Sequence, residues 1–230
     1  MSKVDGNPKP FLKWAGGKRQ LLSEIEMRLP DNLSDYDTYI EPFIGGGAVL
    51  FHLLPRFDFK HVIVMDINSE LILCYQIIQS HASKLVKALK MLENDYPHLD
   101  QIEERKEYYY SIRADWNNLP PNVFKIKISD KIKRVAMTIF LNRTCFNGLF
   151  RVNSKGEFNV PVGNYDNPKI TDEDNISNVA RAIKNVEFIH CDYSSIESYF
   201  GKKTFVYFDP PYRPLTTSSS FTSYSKSGFN

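Results

Sequence analysis

Cysteine is scarce in this 230-residue chain, which holds only Cys74, Cys145 and Cys191, far apart and without a Cys-x-x-Cys pair. An odd, scattered set supplies neither a disulfide framework nor a zinc site, so reduced thiols in a cytoplasmic protein are expected. No apolar run approaches ~18 residues, which excludes a membrane-spanning helix. The opening segment, Met1 to Pro10, contains no apolar stretch and does not read as a secretory signal. Net charge is also small, +2, which excludes a wholly polyanionic or polycationic chain. What is present is ordinary globular material, 42% hydrophobic and 24% charged. That suffices for one large domain, or a core domain carrying an insertion.

The charge is unevenly placed. Between 125 and 155 stand Lys125, Lys127, Lys131, Lys133, Arg134, Arg143, Arg151 and Lys155, against the single acid Asp130. Such a segment is either a surface facing a polyanion or a solvated helix face. Phe140, Phe146, Phe150 and Phe158 interleave with the cations and favour the first reading.

Both ends of the chain alternate strand and helix. Strands are predicted at 38–43, 61–65, 186–190 and 204–208. Helical segments are predicted at 48–54 and 70–78, the second with Asn68 as its cap. This rhythm argues for an open parallel sheet. From about Leu71 to Ile170 it breaks into helices through Lys90, over 108–116 and over 128–141. A hairpin over 149–162 follows, turning at Ser154-Lys155-Gly156. The expectation is an α/β core interrupted by an inserted, mostly helical, basic subdomain. Its parts are a cofactor-binding portion (1–68), a target-recognition portion (69–171) and a catalytic portion (172–230).

Ligands of open parallel sheets bind beyond the carboxyl ends of the strands. Here those ends carry Gly45-Gly46-Gly47, Asp66, Asp192 and Asp209. An acid about 20 residues after a glycine turn suits a ribose diol, although the spacing Gly-x-Gly-x-x-Gly is absent. Lys18 does not belong to a phosphate loop, because Leu12 and Arg19 occupy positions that motif reserves for Gly and for Ser or Thr. Asp209-Pro210-Pro211-Tyr212 is more specific. Its carboxylate and the Pro210 carbonyl can both accept from one amino group, and Tyr212 offers a flat face for a base. An exocyclic amino nitrogen of a nucleobase is a poor nucleophile, and two acceptors on its hydrogens draw it toward a tetrahedral, more reactive geometry.

With these motifs in hand, the chain resembles the Dam-family (D12 class) DNA adenine-N6 methyltransferases that act at GATC. The resemblance runs in order through Phe11-Leu-Lys-Trp-Ala-Gly-Gly-Lys18, Glu41-Pro-Phe-Ile-Gly-Gly-Gly47 and Asp66-Ile-Asn68. It continues in Asn147-Gly-Leu-Phe-Arg-Val-Asn153, Gly156-Glu-Phe-Asn-Val-Pro-Val-Gly163, Asp209-Pro-Pro-Tyr212 and Phe221-Thr-Ser-Tyr224. It implies a Rossmann-like core dependent on S-adenosylmethionine, held by Trp14, Lys18, Phe43, Gly45, Gly47, Asp66, Asp192 and Asp209. It also implies catalysis by Asp209, Pro210 and Tyr212 on an adenine flipped out of double-stranded DNA, without a metal. Arg143, Asn147, Arg151, Asn153, Lys155 and Pro161 fall on the DNA-contacting side, with Arg151 where the family reads a guanine. A cognate restriction endonuclease is the expected partner if the chain belongs to a restriction–modification system, and an orphan methylase has none.

Two other readings stay open at this level. One is the same chemistry on cytosine N4 or RNA, and the other is a DNA- or cofactor-binding module without turnover. The second arises because family members continue past Phe221-Thr-Ser-Tyr224 with further helices and strands. The expectation from sequence is therefore a chain lacking the rest of the sheet and one wall of the pocket.

Overall fold

The computed structural model describes residues 6–98 and 100–211. Among them are six α-helices and four strands. In chain order they are α1 (Leu22–Glu26), β1 (Thr38–Glu41), α2 (Ala48–Leu53), β2 (His61–Asp66) and α3 (Ser69–Asn94). Then come α4 (Ile102–Asn118), α5 (Ile128–Thr144), α6 (Glu173–Ala182), β3 (Val186–His190) and β4 (Thr204–Val206).

The strands form one parallel sheet in the order β3-β2-β1-β4. Register is direct, with Ile40 beside Ile63 on one side and beside Val206 on the other. The chain therefore winds outward from β1 to β3 and then returns to the opposite side of β1. That reversal creates a crevice between the carboxyl ends of β1 and β4, where sheets of this kind place their ligands.

Period-2 alternation sorts the strand residues onto two faces. Tyr39, Val62 and Val64 enter the main core, whereas Ile40, Ile63 and Met65 pack against Ile196 on the other face. The main core continues without a break into the helical part, through Trp116, Ile132, Phe140 and Phe158. β4 is shorter than the sequence predicts and half-buried throughout, and among the described residues it pairs with β1 alone.

α3 begins as expected, with Asn68 Oδ1 accepting from the Leu71 amide at 3.1 Å. It runs on past a non-helical residue, His81, to Asn94. Its first half lies on the sheet, where Tyr75 stacks on Phe188 at 5.0 Å. α6 was not foreseen. The expected hairpin lacks a regular ladder and is held by isolated antiparallel bridges, Val152 to Phe158 and Cys145 to Val162. At its tip Gly156 takes φ +83° and Asn153 Oδ1 accepts from the amides of Lys155 and Glu157.

Candidate active site

The turn after β1 is built around the acid that ends β2. Gly45 N–H donates to Asp66 Oδ2 at 3.2 Å, and Asn68 N–H donates to Oδ1 at 2.9 Å. Tyr75 Oη donates to the Gly45 carbonyl at 2.9 Å. Gly45 (φ +47°) and Gly47 (φ +73°) need the left-handed conformation, and a Cβ on Gly47 would lie 2.6 Å from the Tyr75 hydroxyl. Gly46 is packed against Trp14, whose Cβ lies 3.4 Å from where its own Cβ would be. The glycines thus permit a tight, left-handed turn with an indole laid along it. Burial pushes the Asp66 carboxyl up to about 6, against the lowering pull of the Asn68 and Gly45 amides.

Across the crevice, Lys18 Nζ lies 2.7 Å from Asp209 Oδ2, with both side chains largely enclosed. This contact brings the N-terminal segment to the end of β4. Phe43 meets Tyr193 at 5.4 Å and Phe208 at 5.3 Å, forming a partly exposed aromatic group at the same end of the sheet. Asp192 follows β3 on the surface, and its carboxylate accepts from the Ser194 amide at 3.0 Å. Pro210 is exposed beside Asp209. Tyr212 and the Phe221 to Tyr224 segment lie outside the described residues.

Glu41 has a part that the sequence did not reveal. It is buried at the end of β1, where Tyr39 Oη donates to Oε2 at 2.6 Å. Burial pushes its carboxyl up to about 8. The Tyr39 hydroxyl and the Leu50 amide in the first turn of α2 pull it down, and Asp209 and Asp66 raise it further. Glu41 thus supplies an acceptor to a helix whose own N-cap, Gly47, has no side chain to offer. Residues 39 and 41 share a strand face, which is the signal that could have paired them.

The basic segment divides. Arg134 is buried and donates to both carboxylate oxygens of Glu70, through Nε at 3.0 and 2.8 Å and through Nη2 to Oε1 at 2.7 Å. Its guanidinium also lies 4.3 Å from the Trp116 ring centroid. Arg134 therefore belongs to the core and not to a polyanion-facing surface, because α5 turns it toward the acid at the start of α3. Arg143 donates through Nη2 to the Phe11 carbonyl at 2.8 Å, and burial lowers its affinity for its proton.

The remaining recognition candidates cluster on the hairpin and the turn before it. Arg151 is exposed, with Nε donating to Asn159 Oδ1 at 2.8 Å. Lys155 and Pro161 are exposed. Asn147 is exposed with φ +55°, a left-handed value that asparagine adopts more readily than most residues with side chains.

The donors and acceptors around the crevice fit a ligand with vicinal hydroxyls and a flat ring, held by Asp66, the glycine turn and the aromatic group. Among the described residues, no cluster of His, Cys, Asp and Glu is arranged to hold a metal ion. No described helix is long and apolar enough to cross a membrane.

Comparison with known proteins gives the family. The chain is 52% identical over 224 residues to the type II methyltransferase M.MjaIII of Methanocaldococcus jannaschii, covering 96% of this chain and 75% of that one. It is 39% identical to the type II methyltransferase M1.LlaDCHI of Lactococcus lactis, covering 97% and 72%. It is 33% identical to the DNA adenine methylase of Escherichia coli K12, covering 96% and 71%. Residues 14–230 match the model of the D12 class N6 adenine-specific DNA methyltransferases. A match to that family over residues 14–230, together with relatives 52% and 39% identical over nearly the whole chain, makes the chain a member of the D12 class.

Proposed function

We propose that the protein transfers a methyl group from S-adenosylmethionine to N6 of adenine within GATC in double-stranded DNA. The observation that carries this reading is the Lys18–Asp209 contact at the crevice between β1 and β4. It puts the acid of the Asp-Pro-Pro-Tyr motif where a parallel sheet of this order receives its ligand.

In this reading Asp66 accepts from the ribose hydroxyls, and the turn at Gly45 to Gly47 lies against the methionine part. Trp14, Lys18 and Phe43 close the sides, and Asp192 reaches the cofactor's adenine. When bound, the cofactor supplies an electrophilic methyl on a sulfonium centre. Asp209 and the Pro210 carbonyl accept the hydrogens of the target amino group and hold its nitrogen in line for direct transfer. Lys18 engages Oδ2, which leaves Oδ1 for the amino group. Tyr212 is assigned base stacking from its place in the motif. Catalysis rests on positioning and polarisation, without a covalent enzyme intermediate.

On the DNA side, Asn147, Arg151, Asn153, Lys155 and Pro161 form the reading edge, and the exposed lysines of 125–155 contact phosphate. Arg143, assigned to DNA from sequence, serves to anchor the Phe11 backbone. The division into portions 1–68, 69–171 and 172–230 follows this allocation, with the middle portion an inserted target-recognition subdomain.

The test is incubation of the purified chain with a labelled methyl donor and a duplex containing one GATC, followed by nucleoside analysis. Label in N6-methyladenine, lost when the GATC adenine is replaced by purine, supports the reading. Label in N4-methylcytosine, in RNA, or at adenines regardless of context overturns the corresponding part.

A further inference from the structure

The N-terminal segment that borders the cofactor crevice is also clamped to the turn that precedes the DNA-reading hairpin. The clamp is Asn142, a wholly buried amide near the end of α5. Its Oδ1 accepts from the Lys13 amide at 2.8 Å, and its Nδ2 donates to the Lys13 carbonyl at 2.9 Å and to the Gly148 carbonyl at 2.8 Å. Both amide hydrogens and the oxygen are engaged, and the orientation follows from facing one N–H and two carbonyls.

Two further contacts tie the same segments. Trp14 stacks on Phe150 at 5.3 Å with rings 23° apart. Gly148 sits so close to Lys13 that an added Cβ would meet that side chain at 2.2 Å. Lys13 Nζ also lies 3.1 Å from Tyr165 Oη, just past the hairpin. Residues 13 and 14 thus touch the recognition side on several points, and Trp14 lies against the glycine turn as well.

We infer that Asn142 is a positioning residue that makes residues 13–14 and the 146–150 turn move as one body, so that filling the cofactor crevice pre-forms the DNA-reading surface. This rests on the proposed function, in which Trp14 meets the cofactor and the hairpin meets DNA. The physical basis is that a fully satisfied buried amide is costly to break: a shift of residue 13 would strip its N–H and carbonyl of this partner, and a shift of the turn would strip the Gly148 carbonyl. Energetic coupling between the two ligands is then reciprocal. The residue was legible only faintly, as a polar side chain inside the apolar run Met137-Thr-Ile-Phe-Leu-Asn142.

The experiment measures affinity for a GATC duplex with and without the nonreactive analogue sinefungin, in the full chain and in Asn142→Leu. The wild type is expected to bind DNA about 5-fold or more tightly with sinefungin present, within the usual range of allosteric coupling. In Asn142→Leu that ratio is expected to collapse toward one while each ligand still binds. A role confined to stability would lower both DNA affinities equally and leave the ratio intact, which would overturn the inference, as would absence of coupling in the wild type.

Should Asn142→Leu fail to fold, hydrogen exchange on the wild type decides. Sinefungin alone is expected to protect amides at 145–150 along with those at 11–18. Protection at 11–18 without 145–150 overturns the inference and spares the proposed function. Absence of sinefungin binding altogether overturns both.

Discussion

Lys18 and Asp209 stand far apart in the chain, yet Nζ and Oδ2 meet at 2.7 Å where the sheet reverses its winding. The pair offsets the charge of a carboxylate that lies close enough to the buried Glu41 to raise its carboxyl through space. Lys18 also reaches the Gly16 carbonyl at 3.2 Å, so the ammonium pins its own loop as well as the acid. The contact orders one oxygen of Asp209.

Asp209→Ala is therefore expected to remove methylation of double-stranded DNA and spare the fold. Loss of a polarising contact in an enclosed site raises the barrier by about 3 kcal/mol or more, a rate loss of a hundredfold or greater. Single-turnover methyl transfer and a thermal melt on the same sample check it. Retention within tenfold of wild type would take Asp209 out of the chemistry.

For the ribose, Asp66→Ala is expected to weaken S-adenosylmethionine binding by roughly 1–3 kcal/mol, as for a charged hydrogen-bond acceptor. Some of the loss comes through the turn, because the same carboxylate holds the Gly45 and Asn68 amides. Titration calorimetry decides, and unchanged affinity would show that Asp66 serves the turn alone.

Glu41 gives stability a pH dependence of known sign. Its carboxyl titrates at about 8 when folded against an ordinary 4.5, so the native state keeps a proton that the unfolded chain releases between those values. The contribution is fully present below about 4.5 and is lost as pH rises through about 8. Asp66, raised to about 6, acts in the same direction over a narrower window. Glu41→Gln keeps an acceptor for the Tyr39 hydroxyl and removes the charge. It is expected to melt above wild type at pH 8 to 9, with the difference closing near pH 5. Parallel melting curves across that range would contradict the assignment.

The core of the fold was legible because its signals are local and strong. A continuous apolar run ending at Asp66 gave β2, a strand-like run ending near Asp192 gave β3, and Asn68 marked the start of α3. β4 was read two residues too long, because Tyr207 and Phe208 continue the apolar pattern while the backbone has already left the ladder after Val206. Charge was the weaker guide. Arg134 and Arg143 count as surface cations in a composition window, yet α5 turns one to Glu70 and the other to the Phe11 carbonyl. Asn142 and Tyr75 act through partners distant in sequence, Lys13 and Gly45. A single sequence carries no period that announces such contacts.

The Arg134–Glu70 pair tests that distinction. Arg134→Met alone leaves a buried carboxylate without its partner, and is expected to cost about 3–5 kcal/mol in urea unfolding. Arg134→Met combined with Glu70→Leu removes both charges and is expected to recover most of that loss. A double variant as unstable as the single one would show that the stacking on Trp116 matters more than the charges.

In the proposed reading, Arg151 bears on sequence choice. Its Nε is tied to Asn159 Oδ1 at 2.8 Å, on a hairpin whose tip is braced by the Asn153 side chain. With Nε committed, Nη1 and Nη2 are the donors left for a ligand, and a pre-set guanidinium edge matches the O6 and N7 acceptors of guanine in the major groove. Arg151→Ala is accordingly expected to lose about 1–3 kcal/mol of discrimination at one guanine position of GATC, with a smaller effect on binding to unrelated duplexes. Binding to duplexes altered at each position in turn, repeated over a salt series, separates the alternatives. A uniform loss over all sequences with a shallower salt dependence would make Arg151 a phosphate contact, since neutralising one phosphate fewer releases one counterion fewer and carries no information about the base.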